Sequence, residues 1–192
     1  MLVLIKGAGD LATGTAVRLY RAGIKVVMTE VARPTAVRRT VAFSQCMYDG
    51  AAQVEGISAR RAEDAGAARR ALERGEVPVL CDPEAAILRE LPFDGVVDAI
   101  LAKRNLGTAI TDAPVVLALG PGFTAGVDCH GVVETMRGHD LGRLLTRGSA
   151  VPNTGVPGDV GGYTTQRIIR APADGVFEPL AAIGQRGEEG QP

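Results

Sequence analysis

Residues 2–30 read LVLIKGAGDLATGTAVRLYRAGIKVVMTE and carry the clearest structural pattern in the chain. Leu2–Lys6 is an apolar run that ends at a glycine, which is typical of a buried strand. Residues 10–22 carry apolar side chains at helical spacing, a glycine follows them, and residues 24–30 form a second, β-branched run. Residues 2–30 therefore predict a strand, a glycine turn, a helix and a second strand.

Strands and helices continue to alternate along the chain. Further predicted strands are Val77–Cys81, residues 96–101, Val115–Leu119 and an extended piece at 127–136, and the predicted helices are residues 34–44, 62–74 and 84–91. Such alternation requires right-handed crossovers and therefore a mostly parallel sheet. Since only 4% of the residues are aromatic, the core is aliphatic, which suits a sheet buried on both faces. We predict an α/β fold with a Rossmann-like, mostly parallel sheet and helices on both faces.

Residues 7–12, GAGDLA, match the pattern G-x-G-x-x-A between the first predicted strand and helix, as in dinucleotide-binding turns. Gly7 permits the tight turn, Gly9 leaves room for a phosphate, and Ala12 keeps the helix close to the strand. Amide N–H groups and the positive end of the helix dipole then face one point. Glu30 ends the second strand at about the position where an acid meets a ribose hydroxyl. The candidate cofactor-binding residues here are Gly7, Gly9, Asp10, Ala12 and Glu30.

This turn leaves alternatives open. The carboxylate of Asp10 would repel a pyrophosphate unless it points away, caps the helix or holds a cation. Glu30 could equally be a solvated strand end. The glycines could also turn the chain in a Rossmann-like fold that has lost its ligand.

A second glycine-rich region, residues 120–126, follows the predicted strand Val115–Leu119 and belongs at a carboxyl edge of the sheet, where open α/β sheets bind ligands. Gly120 and Gly122 are therefore further candidate cofactor contacts, and we expect both glycine regions to border one cleft. Lys103, after predicted strand 96–101, is a candidate anion contact, with a surface turn as the alternative.

Three polar residues follow the second glycine region. An extended backbone would place Asp128, His130 and Glu134 on one side, where they could bind a metal or carry out acid/base chemistry. They are the candidate catalytic residues. The alternative is the water-facing side of a strand near the sheet edge, and since no second ligand cluster supports a metal, we predict no metal site.

Composition excludes several partner classes. With 21 basic and 22 acidic residues the formal net charge is -1, which gives no bulk attraction for nucleic acid or an anionic membrane. The longest apolar runs are too short to span a bilayer, and Met1 leads directly into a strand, so we expect a cytoplasmic protein. The three cysteines are far apart and odd in number, so we expect reduced thiols.

We predict three segments: a nucleotide-binding domain at 1–147, a Gly/Pro-rich linker at 148–165 and a β segment at 166–192. Residues 170–177, 183–184 and 190–191 resemble the first half of a biotinyl/lipoyl-type barrel, with a plain hairpin as the alternative. The second half is missing, so the segment should pack on the main domain or pair with another chain, which favours a homo-oligomer. Because the lysine-bearing hairpin is also missing, we expect no carrier chemistry.

The chain closely resembles the YqeB-type accessory proteins of selenium-dependent molybdenum hydroxylases. The similar stretches are IKGAGDLATG (5–14), RPTAVRR (33–39), LAKRN (101–105), GPGF (120–123) and ETMRGH (134–139). The resemblance implies a role in maturing a molybdenum hydroxylase apo-enzyme, through its molybdenum cofactor or selenium. The ligand would be a dinucleotide, NAD(P) or a molybdopterin dinucleotide, or another nucleotide. Alternatives are an NAD(P)-dependent oxidoreductase and a scaffold without ligand. Members of this family run longer, so we expect this sequence to be truncated.

Overall fold

The structure is a computed structural model that describes residues 1–188. The chain divides into two compact units, Met1–Thr154 and Gly155–Pro192. Both glycine turns and all the candidate site residues belong to the first unit.

The first unit is built on one sheet, whose nine strands among the described residues alternate with helices and turns. In chain order the strands are β1 (Leu2–Lys6), β2 (Lys25–Glu30), β3 (Ala51–Val54), β4 (Ile57–Ala62), β5 (Val77–Cys81), β6 (Gly95–Asp98), β7 (Val115–Leu119), β8 (Gly131–Val133) and β9 (Leu144–Leu145). They lie side by side in the order β3-β4-β5-β2-β1-β6-β7-β8-β9. Only the two outermost pairs, β3 with β4 and β8 with β9, are antiparallel. The predicted mostly parallel α/β sheet is confirmed.

The central strands follow the order of a doubly wound nucleotide-binding sheet. The run β5-β2-β1-β6-β7-β8 is parallel throughout, and the chain crosses from one side of β1 to the other between β5 and β6. The strand order therefore reverses between β1 and β6. In open α/β sheets this reversal, at the carboxyl ends of the strands, is where ligands bind.

Side chains from both faces of the sheet are buried. The helices are α1 (Asp10–Arg21), α2 (Cys46–Asp49) and α3 (Ala65–Glu73), and none in the described part of the chain is long and apolar enough to cross a bilayer. Val3 and Ile5 of β1 pack in one core cluster with α1, while Leu4 packs in the other with α3. This alternation follows from the two-residue period of a strand.

Two predicted helices are wrong. Residues 34–44 contain only the 3-10 turn Arg39–Val41 and the start of another, Phe43–Gln45. Their backbone bonds elsewhere, because the Phe43 amide donates to Thr13 Oγ1 at 2.8 Å and the Ser44 amide donates to the Ala8 carbonyl at 2.8 Å. Residues 84–91 form the 3-10 turn Ala86–Arg89, because Ala85 adopts a positive φ of 53° that interrupts a helix.

Several boundaries shift for local reasons. The helix predicted at 62–74 begins later, since Asp64 caps α3 by accepting the Ala67 amide at 2.6 Å and Ala62 belongs to β4. β6 ends at Asp98, beyond which Leu101 has a φ of 60°. Only Gly131–Val133 of the extended piece 127–136 is a strand, because a turn precedes it.

One hairpin was missed. β3 and β4 are joined by Glu55 and Gly56, both at positive φ, 50° and 79°. Positive φ at both central residues is the geometry of the turns that join two-residue hairpins. A Glu-Gly pair is a weak signal for such a turn, which is why the sequence did not reveal it.

The second unit does not confirm the half-barrel prediction. Between residues 155 and 188 the structure has an isolated bridge between Val160 and Tyr163 and the 3-10 turn Thr165–Arg167, without a longer strand. The 190–191 part of the predicted pattern lies outside the described residues.

A pair of glycine substitutions tests how closely the first glycine turn is packed. Gly7 and Gly23 both have positive φ, 92° and 79°, but a β carbon would lie 3.0 Å from the Ala99 carbonyl oxygen at Gly7 and would meet nothing within 4 Å at Gly23. Gly23→Ala should cost about 1 kcal/mol of unfolding free energy, from φ strain alone. Gly7→Ala should cost about 1–3 kcal/mol more, from the backbone clash. Urea unfolding measures both, and equal costs would contradict this packing.

Candidate functional site

The two glycine turns lie at the same edge of the sheet, after the carboxyl ends of β1 and β7. Residues 99–104 run between them. A β carbon on Gly7 would lie 3.0 Å from the Ile100 Cα, and one on Gly122 would lie 2.6 Å from the Arg104 nitrogen. Both turns therefore need glycine because the backbone of this segment approaches them closely.

The backbone of the first turn is held from several directions. The Gly7 amide donates to the Thr29 carbonyl at 2.8 Å. The Ala8 carbonyl accepts the Ser44 amide at 2.8 Å and the Thr13 hydroxyl at 3.2 Å. The turn is thus braced by β2, by α1 and by the segment that was predicted to be a helix.

Three amides of this turn have no hydrogen-bond partner among the described residues. The N–H groups of Gly9, Asp10 and Ala12 donate to no residue in the described part of the chain. They lie at the N-terminus of α1, where amides converge and the helix dipole favours an anion. A β carbon on Gly9 would meet nothing within 4 Å, so there is open space beside Gly9.

Asp10 does not leave an unpaired carboxylate in the turn. One of its oxygens accepts the Leu11 amide at 3.0 Å, and the other pairs with the guanidinium of Arg38. Arg38 lies in the 31–38 segment after β2. This pair neutralises the carboxylate whose charge argued against phosphate binding.

Glu30 braces the first turn from the end of β2. Its Oε2 accepts the Ala8 amide at 2.9 Å and its Oε1 accepts the Val31 amide at 2.8 Å. Glu30 is therefore not simply a solvated strand end. Since each carboxylate oxygen has two lone pairs, the side chain retains the capacity to accept a ligand hydroxyl.

A buried polar network beneath the first turn was missed by the sequence analysis. Lys6 and Asp98 are register partners at the ends of β1 and β6 and are 3% and 1% exposed. Lys6 Nζ donates to Thr108 Oγ1 at 2.6 Å, and that hydroxyl donates to Asp98 Oδ2 at 2.6 Å. The available signal was a charged residue at the end of each of two buried strands.

The three predicted catalytic residues bond to different parts of the backbone. Asp128 lies in a turn and its Oδ2 accepts the Thr124 amide at 2.7 Å. The exposed His130 accepts the Val116 amide at Nδ1, 3.0 Å away. Within residues 1–188 no three His, Cys, Asp or Glu side chains group as metal ligands. The turn at Asp128 breaks the extended backbone that the predicted shared face required.

Glu134 is buried and bonded entirely to backbone. Its Oε1 accepts the amides of Thr135 and Met136, both at 2.7 Å, and its Oε2 accepts the Val151 amide at 2.8 Å. Burial alone would raise the pKa of Glu134, but the three donated hydrogen bonds outweigh it and hold the pKa below its ordinary value. Glu134 therefore joins the end of β8 to the segment around Val151.

A cleft of about 580 Å³ opens beside the second glycine turn. Its lining comes from Lys103, from residues 121–124 and from Ser149, Ala150, Pro152 and Asn153. Lys103 and Gly122, two of the predicted cofactor contacts, are thus brought together. Gly120 lies at the end of β7, where a β carbon would come within 2.7 Å of Thr135 Oγ1. The lining includes none of residues 7–12, so the predicted cofactor contacts fall into two groups.

A curated protein of Escherichia coli (strain K12), named "Uncharacterized protein YqeB", is 54% identical to this chain over 189 residues. The aligned region covers 98% of this chain. The chain belongs to the YqeB-type family. This YqeB-type chain spans 35% of the length of that relative. No family model and no solved structure match this chain.

Glu134→Gln tests the bond between the end of β8 and the segment around Val151. The Gln amide group would face a backbone N–H donor, so the variant should lose about 1–3 kcal/mol of unfolding free energy near neutral pH. Because the pKa of Glu134 is lowered in the folded state, its stabilisation is present above the ordinary pKa of a glutamate and is lost as the pH falls through the folded-state pKa.

Denaturant unfolding at several pH values measures both effects. The difference between the unmodified chain and Glu134→Gln should shrink on acidification. Glu63→Gln is the control, because Glu63 is exposed and should change stability by less than about 0.5 kcal/mol. A difference that stays constant with pH would contradict the role given to Glu134.

Proposed function

We propose that this YqeB-type chain is a cytoplasmic nucleotide-binding accessory protein that acts in the maturation of a selenium-dependent molybdenum hydroxylase. The geometry of the first glycine turn supports nucleotide binding. The resemblance to YqeB-type accessory proteins supports the maturation role, the apo-hydroxylase partner and the handling of molybdenum cofactor or selenium.

The observation that carries nucleotide binding is the set of available amides at Gly9, Asp10 and Ala12. They lie at a helix N-terminus, beside the reversal of strand order between β1 and β6. A phosphate there would receive several N–H donors and the favourable end of the helix dipole. The open space at Gly9 fits the close approach of a phosphate that this turn allows in dinucleotide-binding sheets.

Glu30 supports a dinucleotide ligand, NAD(P) or a molybdopterin dinucleotide, over inorganic phosphate. Its carboxylate ends β2 and already bonds to the first turn through the Ala8 amide. A ribose hydroxyl beside the turn could donate to its remaining lone pairs. Arg38 pairs with Asp10 and so offsets the negative charge beside the same turn.

The chain's own residues would bind and orient the nucleotide rather than transform it. The nucleotide, when bound, supplies whatever redox or metal chemistry its partner enzyme uses. A dehydrogenase needs a proton donor beside the reacting ring. Asp128 and Glu134 instead bond to backbone amides, and the His130 Nδ1 accepts one. These contacts favour the accessory role over an NAD(P)-dependent oxidoreductase.

We also propose that the chain forms a homo-oligomer through its second unit. Large apolar side chains are exposed there, among them Ile169 at 99%, Val176 at 90% and Phe177 at 85%. Leaving this apolar surface in water is unfavourable, and an isologous contact would bury the same surface on both subunits.

Sedimentation of the full chain and of a chain ending at Thr154 tests the oligomer proposal. The full chain should sediment as an oligomer and the shortened chain as a monomer. Identical oligomeric states would contradict a role of the second unit in assembly.

Gly9→Val tests nucleotide binding at the first turn. Gly9 has φ -65° and ψ -175°, which valine adopts readily, and open space surrounds it, so the fold should be retained while the phosphate is obstructed. Nucleotide affinity should fall at least about tenfold, since hydrogen bonds to a charged group are worth about 1.5–3 kcal/mol. Calorimetry with NAD, NADP, ATP, CTP and a molybdopterin dinucleotide measures it.

Gly14→Val is the matched control for this experiment. Gly14 lies in α1 and is exposed, and a β carbon there also meets nothing within 4 Å. This variant should bind like the unmodified chain. Equal loss in both variants, or no binding of any of these nucleotides to the unmodified chain, would contradict the proposed site.

A further inference from the structure

The polar side chains that line the cleft beside the second glycine turn are cationic or neutral. Lys103 is its cation, Thr124, Ser149 and Asn153 supply side-chain donors, and no carboxylate lines it. The hydroxyls of Thr124 and Ser149 are hydrogen-bonded to each other at 3.1 Å across the two stretches that form its walls, which leaves one of the two O–H groups as a donor. This arrangement is complementary to an anion.

The ammonium of Lys103 is available to such an anion. Among the described residues, no carboxylate forms an ion pair with Lys103. Its backbone has a φ of 62°, a conformation that residues with a β carbon rarely adopt. Strained backbone of this kind persists where the surroundings hold it, and it concentrates at ligand-binding sites.

The walls of the cleft are held before any ligand arrives. Glu134 accepts the amide of Val151, next to the lining residues Ala150 and Pro152, and Asp128 accepts the amide of Thr124. Asn105, which follows Lys103 closely, accepts the Thr108 amide at 2.8 Å and donates to its carbonyl at 2.8 Å. A site built in this way loses little conformational entropy when it binds.

We propose that this cleft binds a phosphate monoester at a site separate from the nucleotide site. A phosphate presents several acceptor oxygens, which matches the ammonium of Lys103 and the O–H group that the Thr124–Ser149 hydrogen bond leaves as a donor. About 580 Å³ exceeds what a phosphate fills and lies in the usual range for small-molecule sites. The organic part of the ester would lie against Pro121 and Pro152.

The residues that line the cleft show that it is separate from the first glycine turn. None of residues 7–12 contributes to the cleft, and residues 99–104 run between the two turns. The site goes beyond the proposed nucleotide binding and does not depend on it, because it uses other residues and other donors.

The experiment is calorimetric titration of the full chain with phenyl phosphate, an ester with an apolar body and no nucleoside. Lys103→Gln removes the cation and should weaken binding about tenfold or more, since the lost hydrogen bond is charge-assisted. Arg104→Gln is the matched control, because Arg104 is the adjacent exposed cation and does not line the cleft. Its affinity should stay within about twofold of the unmodified chain, because solvent and salt screen an exposed charge whose side chain does not line the cleft.

Gly9→Val separates the two sites. It should retain the phenyl phosphate binding that Lys103→Gln removes, because none of residues 7–12 lines the cleft. The proposal is overturned if the unmodified chain does not bind phenyl phosphate, if Arg104→Gln weakens binding as much as Lys103→Gln, or if Gly9→Val abolishes it. Equal binding of phenol would likewise overturn it, since recognition would then not involve the phosphate.

Discussion

The edge of the sheet that carries both glycine turns depends on one buried interaction. It is the ion pair between Lys6 and Asp98, bridged by the hydroxyl of Thr108. A buried ammonium is costly unless it is paired and hydrogen-bonded, and here one hydroxyl contacts both charged groups at 2.6 Å. The network lies where the strand order reverses and attaches the 105–108 loop to β1 and β6. From that loop Asn105 reaches Asp128, 3.5 Å away, so the same anchor extends to the second glycine turn.

Acidic side chains at this edge shape the backbone and leave other groups for ligands. Glu30 braces the first turn, Asp128 fixes the Thr124 amide and Glu134 gathers three amides. A carboxylate that accepts hydrogen bonds from backbone amides orders the loop that carries them. The donors that this leaves are amides at the first turn and the Lys103 ammonium at the cleft, which is why both proposed ligands are phosphates.

Local signals in the sequence predicted the fold better than the site. The β1-α1-β2 unit could be predicted because its apolar periodicity and its glycines are local, and alternation predicted the parallel sheet. The helix predicted at 34–44 was wrong because amides of this segment bond to Thr13 and Ala8, which are distant in sequence. Asp128, His130 and Glu134 were grouped by an assumed extended backbone that the turn breaks. Lys6 was missed because its partners follow it by 92 and 102 residues.

A ¹H–¹⁵N correlation spectrum of the full chain during titration with ADP measures phosphate binding at the first turn residue by residue. We expect progressive shifts of the Gly9, Asp10 and Ala12 amide resonances, because these donors would bond to the pyrophosphate. The Gly7 amide, which donates to the Thr29 carbonyl, should shift less. Unchanged resonances of Gly9, Asp10 and Ala12 at millimolar ADP would contradict nucleotide binding at this turn.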